Sequence, residues 1–301
     1  MKKFTKIALS IAAFLFAFGL ILVVVGGLSG GFRKTMQWIS NGELSFGNVN
    51  FGAFFHYHDV DMNKQYDVYS GSGSHEGIAS LDEFDNLKLM VGGGEIRVQY
   101  KDVESVNIEY DNVGDIQFYV ENNTLVIAQA QEIWNGFDGA DITLTLPYET
   151  SFDTVIVSLG AGTAEMDGID ADKVEFEVGA GKVEIERMTV TTATLEIGAG
   201  QIVVNNGLIT DLEVEVGMGS FEYEGSIVGD LNAECAMGDM TYDLEGSIKD
   251  HNYDVECAMG NVTVGNKSYS GIASDKKIDN NSNSDFNLEC SMGNISVSFE
   301  N

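Results

Sequence analysis

VEFEVGAGKVEI (Val174–Ile185) and ATLEIGAGQIVV (Ala193–Val204) are one pattern written twice, 19 residues apart. In each, apolar residues alternate with polar ones on both sides of a Gly-Ala-Gly corner. Phe176 and Val178 precede the first corner and Val183 and Ile185 follow it; Leu195 and Ile197, then Ile202 and Val204, frame the second. Period-two alternation marks a strand with one buried face. A tight corner between two such strands needs glycine, for positive φ or for close approach of another backbone. The corner recurs at Gly160-Ala161-Gly162, Gly217-Met218-Gly219, Ala236-Met237-Gly238, Ala258-Met259-Gly260 and Ser291-Met292-Gly293, with an earlier copy at Gly92-Gly93-Gly94. The final glycines, Gly162, Gly181, Gly200, Gly219, Gly238, Gly260 and Gly293, are 19, 19, 19, 19, 22 and 33 residues apart. With Gly94 they form the set of expected structural turns.

No single copy can bury its apolar face alone, so the copies must stack. The fold class that follows is all-β: a right-handed parallel β-helix, or β-solenoid, with coils of about 19 residues. Eight copies at about 4.8 Å each make a column of roughly 35 Å. A further apolar cluster after most corners (Ile169; Met188 and Val190; Leu208 and Ile209; Ile227 and Val228) is expected to close each coil. The solenoid domain spans residues 81–301. Two departures interrupt it: an irregular or antiparallel sheet within 99–153 and a loop inserted at 266–285, rich in Ser, Asn, Asp and Lys. The last strand, Ile295–Phe299, is expected at an open edge, which would recruit other strands and allow self-association through the carboxyl-terminal end of the solenoid.

Composition narrows the function. Residues 1–80 hold six Lys/Arg and five Asp/Glu, whereas residues 81–301 hold ten against 42, a net charge of −32. Such a body is repelled by nucleic acid, which is excluded as a partner. With 35 glycines and a single proline, Pro147, collagen-like and proline-rich disordered classes are excluded too.

The amino terminus reads as a membrane signal. Lys2, Lys3 and Lys6 precede an uncharged run from Ile7 to Leu28, 22 residues long. As a helix it would be roughly 33 Å long, enough to span a bilayer core of about 30 Å. No good cleavage site follows it, so an uncleaved transmembrane anchor is favoured over a removed signal peptide. The basic start places the amino terminus in the cytoplasm and the solenoid outside, in a single-pass protein of the bacterial cell membrane. Residues 1–34 form the tip and anchor; residues 35–80 form an aromatic and Gly-rich juxtamembrane linker.

The export signal, the glycine-rich early strand, the strand ending at Leu146-Pro147 and the stacked Gly-Ala-Gly coils resemble a bacterial family of exported β-strand-repeat proteins. Its members carry the label of candidate adhesins and contain a domain of unknown function. The resemblance covers about residues 78–301 and implies fold more than activity. It transfers no catalytic residue, and implies an anchored cell-envelope protein.

Candidate chemistry is sparse. Cys235, Cys257 and Cys290 occupy the position filled by Val178, Ile197 and Val216 in earlier coils, so they continue a buried apolar row. A disulfide between neighbouring coils is the alternative. Glu177, Glu196, Glu215, Glu234, Glu256 and Glu289 sit one residue before that row and face outward in a line. They form either a solvated acidic face or a low-affinity divalent-cation surface. His56 and His58 would share one face of a strand, a weak metal candidate without a third ligand. No cofactor is expected. Nor is an enzyme: the arginines are Arg33, Arg97 and Arg187 alone, and no Ser or Cys nucleophile has a recognisable His partner. Three functional readings remain: an adhesin or envelope-interaction protein that binds cell-wall or surface components, an envelope-stress component acting on a membrane sensor, and a divalent-cation-binding surface protein.

Overall fold

The computed structural model describes residues 45–46, 49–50, 67–77, 84–129, 140–270 and 274–300 of the 301. The chain divides into two units, Met1–His56 and Tyr57–Asn301. In the first, β1 (Ser45–Phe46) and β2 (Val49–Asn50) form a short antiparallel ladder. Among the described residues no helix is long and apolar enough to cross a membrane, and the run from Ile7 to Leu28 lies outside them. His56 and His58 lie outside them as well.

The second unit is all-β and solenoid-like. Its strands are β3 (Val68–Glu76), β4 (Asn86–Lys101), β5 (Asn107–Glu121), β6 (Thr124–Gln129), β7 (Ala140–Pro147), β8 (Phe152–Met166), β9 (Ile169–Val178) and β10 (Lys182–Ile185). They continue with β11 (Met188–Ile197), β12 (Gln201–Val216), β13 (Ser220–Ile227), β14 (Leu231–Cys235), β15 (Asp239–Glu245), β16 (Asn252–Cys257) and β17 (Asn261–Val264). The last four are β18 (Lys267–Ser270), β19 (Ser274–Ile278), β20 (Asp285–Cys290) and β21 (Asn294–Glu300).

From β8 to β15 each coil lies parallel on the previous one at an offset of 19 residues, apart from a one-residue register shift between Val204 and Gly207 where β12 meets β13. Phe176 pairs with Leu195 and Leu195 with Val214; Val183 pairs with Ile202 and Ile202 with Phe221. Equivalent side chains therefore form continuous interior rows. One runs Val91, Leu159, Val178, Ile197, Val216, Cys235, Cys290, Cys257. Beyond the corner another runs Ile96, Ala164, Val183, Ile202, Phe221, Met240, Ile295, Val262. All sixteen are buried. A third side closes the coil through Ile169, Met188, Val190, Ile209 and Ile227. Leu208 and Val228, expected in that cluster, point to solvent instead, because alternation sends each one the opposite way from its neighbours Ile209 and Ile227.

The corner glycines stack as well. A Cβ on Gly200 would run into the carbonyl oxygen of Gly181, and one on Gly219 into that of Gly200. Close coil-to-coil approach demands glycine there; at Gly94 and Gly162 a positive φ (126° and 118°) adds to it.

Stacking does not follow chain order at either end. The final coil, β20–β21, inserts between β14–β15 and β16–β17: Cys235 pairs with Cys290 and Cys290 with Cys257, while Met240 pairs with Ile295 and Ile295 with Val262. The expected open edge is therefore covered over Ile295–Val297, which pair with β15 on one side and β17 on the other. The segment expected as a loop supplies β18 and β19, which run antiparallel on β17 and β16 and form the outer layer. The physical reason is edge protection. Strands β18 and β19 (KSYS and SDKKI) are polar and mostly exposed, whereas β20 and β21 carry alternating apolar residues that profit from neighbours on both sides.

The amino-terminal end uses the same device. β6 and β7 lie parallel on the outer side of β4, whose other side takes β8. Antiparallel β5 covers β6 and β7, and the polar strand β3 pairs with β5. Within the segment read as an irregular sheet, β6 and β7 thus form a coil and only β5 runs counter to it.

Polar contacts pin the intercalated coil. The Asp285 amide donates to Asp230 Oδ1 at 2.9 Å, and Asn252 Nδ2 donates to Asp285 Oδ1 at 2.8 Å. Buried Ser284 donates its hydroxyl to the Gly229 carbonyl and faces His251 Nδ1 at 2.7 Å, while the His251 ring stacks on Phe286 at 4.0 Å. Burial lowers the His251 pKa below its ordinary value of 6.5, against an opposing pull from Asp250.

Candidate functional site

The side of the solenoid made by β9, β11, the end of β12, β14, β20 and β16 alternates inward apolar residues with outward polar ones. Its outer surface holds one carboxylate row in the order Glu177, Glu196, Glu215, Glu234, Glu289, Glu256. The sequence identified all six, but not that Glu289 stands between Glu234 and Glu256. Beside them runs a second row containing Glu175, Thr194, Glu213, Asn232, Asn287 and Asp254. Ion pairs lie toward the two ends of this face, Lys173 with Glu175 and Lys277 with Asp254, each at 2.5 Å.

Neighbouring coils bring like charges within about 5 Å, which raises the free energy of the ionised state. Three carboxyls in the middle of the row, Glu215, Glu234 and Glu289, respond in one direction. Burial, then the charges of Glu196 and Glu213, push Glu215 up; burial, then Glu215 and Glu213, push Glu234 up. Glu289 is raised by burial, then by Glu234, Glu256 and Asp254. Extended strands hold the row in a line rather than a cup. Among the described residues, no group of three or more His, Cys, Asp or Glu is arranged to hold a metal ion. Chemically the arrangement is a flat anionic surface suited to contact with a cationic one.

Behind this face, Cys235, Cys290 and Cys257 are buried, free thiols on adjacent rungs. Cys235 donates to the Gly238 carbonyl at 3.0 Å, and its hydrogen bond with Cys290 together with burial pushes its pKa up. Cys235 and Cys257, neighbours by chain order, stand two strand spacings apart, about 9.6 Å, beyond the roughly 7 Å a disulfide tolerates. The turn glycines Gly94, Gly162, Gly181, Gly200, Gly219, Gly238, Gly293 and Gly260 form one stack in that order, lining the corner beside the thiols.

Fold and surface together define a capped β-solenoid with one carboxylate-lined side. The family profile of Toastrack DUF4097 matches residues 94–298, and the chain belongs to that family. No curated protein matches it. Solved structures similar to it include a candidate adhesin of Bacteroides fragilis, at 13% identity over 77% of this chain and 98% of that one, TM-score 0.40. A candidate adhesin of Parabacteroides distasonis is similar at 14% identity over 75% and 97%, TM-score 0.42. A candidate lipid-binding protein of the same species is similar at 15% identity over 78% and 100%, TM-score 0.39.

Proposed function

We propose that this protein is a non-enzymatic, membrane-anchored binding protein of the bacterial cell envelope, whose right-handed solenoid presents its acidic side to cationic components of the cell wall or cell surface. The carboxylate row carries this reading. Six glutamates in consecutive rungs repel one another, and a cationic partner would relieve the repulsion. The run from Ile7 to Leu28 supplies the anchor, with Lys2, Lys3 and Lys6 on the cytoplasmic side.

The test compares full-length protein with a variant carrying Glu196→Gln, Glu215→Gln, Glu234→Gln and Glu289→Gln, for binding to isolated cell walls and to a poly-lysine surface. Wild-type binding should fall steeply with salt, and the variant should bind at least tenfold more weakly. Equal binding by both would overturn the role of the acidic side. Protease digestion of intact cells should remove the solenoid and spare the anchor; full protection would overturn the exported topology.

A further inference from the structure

The corner between the two strands of each coil holds a second ladder, on the outside. Its middle residue is Ala161, Ala180 and Ala199 in successive coils and then becomes Met218, Met237, Met292 and Met259. The amides of Met237, Met292 and Met259 donate to the Gly217, Ala236 and Ser291 carbonyls, each at 2.8 Å, so the four methionines lie in register on adjacent rungs. Met218, Met292 and Met259 are exposed by 44%, 39% and 40%, and Met237 is partly exposed. Four of the eleven methionines therefore line one solvent-facing corner of a strongly acidic protein, where burial of the side chain contributes little.

We infer that this methionine row is a binding site for a soft monovalent metal ion, Cu(I) or Ag(I). Thioether sulfur is a soft ligand that selects such ions over calcium, magnesium or manganese. The spacing suits them. With a metal–sulfur bond of roughly 2.3 Å, two sulfurs on opposite sides of one ion stand about 4.6 Å apart. Strand neighbours in a sheet are separated by about 4.8 Å. Three rotatable bonds let each methionine adjust, and a third sulfur from the next rung can complete a trigonal site. Three residues before each methionine comes a member of the carboxylate row: Glu215, Glu234, Glu289 and Glu256. That row supplies a negative field for a cation without competing as a soft ligand. Intercalation of the last coil sets the order Met237–Met292–Met259; in chain order Met292 would be terminal.

The experiment titrates the purified full-length protein with silver nitrate in chloride-free buffer and follows the methionine methyl groups by 13C NMR. Methyl signals of the corner methionines should shift and saturate at one to two equivalents, and millimolar calcium or magnesium should not reverse the shift. The double substitution Met237→Leu and Met292→Leu, conservative at exposed positions, should weaken binding at least tenfold. A triple variant with Cys235→Val, Cys257→Val and Cys290→Val, matching the valines of earlier coils, should bind as wild type. Methyl signals that do not respond, or binding kept in the leucine variant and lost in the valine variant, would overturn the site.

Discussion

Intercalation of the last coil makes a prediction that chain-order stacking contradicts. Asn232, Asn287 and Asp254 face solvent on adjacent rungs, and Asn287 Nδ2 donates to Asn232 Oδ1 at 2.8 Å. Two variants, both with the native cysteines replaced by valine, separate the alternatives: Asn232→Cys with Asn287→Cys, and Asn232→Cys with Asp254→Cys. The first pair stands one strand spacing apart, about 4.8 Å, inside the Cα range of roughly 4.4–6.8 Å that a disulfide accepts. The second stands at about 9.6 Å, outside it. On mild oxidation the first pair should close and the second should not, as read by non-reducing electrophoresis and mass spectrometry. The bridge spans 55 residues of chain. Loop-closure entropy then sets an upper limit of about 4 kcal/mol of added stability, visible as a higher melting temperature that reductant abolishes. Efficient closure of the 232–254 pair with none of the 232–287 pair would refute the intercalated order.

Three other outcomes follow from the same geometry. Buried His251 resists protonation in the folded chain but accepts a proton at about pH 6.5 when unfolded, so its stabilising contribution is full above that value and lost as pH falls below it. His251→Gln should flatten the change in melting temperature between pH 7.5 and 5.5, and an unchanged slope would count against the burial argument. Glu215, with its raised pKa, behaves oppositely: its penalty is absent at low pH and grows as pH rises through the folded value. Glu215→Gln should therefore stabilise the protein at pH 7 by roughly 0.2–1 kcal/mol in low salt and less in high salt, as measured by urea denaturation. Gly200→Ala forces a methyl group against the Gly181 carbonyl and should cost about 1–3 kcal/mol or more, whereas Ala199→Ser one residue away should be nearly silent by the same assay.

Much of this fold is legible in the sequence because a solenoid repeats its instructions. The 19-residue period, the alternation around each corner and the glycine at its end are local signals, and Val178, Ile197 and Val216 announce the interior row that Cys235 joins. The six glutamates were legible for the same reason, as the outward partners of that row. The order of the final rungs was not. A parallel ladder accepts almost any sequence of apolar neighbours, and the row Leu212, Leu231, Phe286, Tyr253 is equally apolar in pattern with its last two members exchanged. Contacts far apart in the chain, such as Asp230 with Asp285 and His251 with Ser284, break that degeneracy, and pattern reading does not see them. The one sequence signal was the irregular spacing of 22 and 33 residues, which marks where the chain leaves the column and returns.

The two ends explain why the sides matter. A parallel stack built in chain order would leave an unpaired strand at each end, free to add strands from other molecules. Here an antiparallel layer with a polar outermost strand covers both: β5 with the glycine- and serine-rich β3 at one end, β18 with β19 at the other. Lys276 and Lys277 lie on the outer strand β19, where charge opposes further strand addition. With both terminal coils covered by these polar strands, axial growth is disfavoured, and on the proposed binding role recognition falls to the lateral surfaces. The carboxylate row and the methionine corner run along those surfaces, parallel to the column, so each rung adds an equivalent contact. On the proposed binding role, affinity for an extended cationic partner should scale with the number of rungs it can reach.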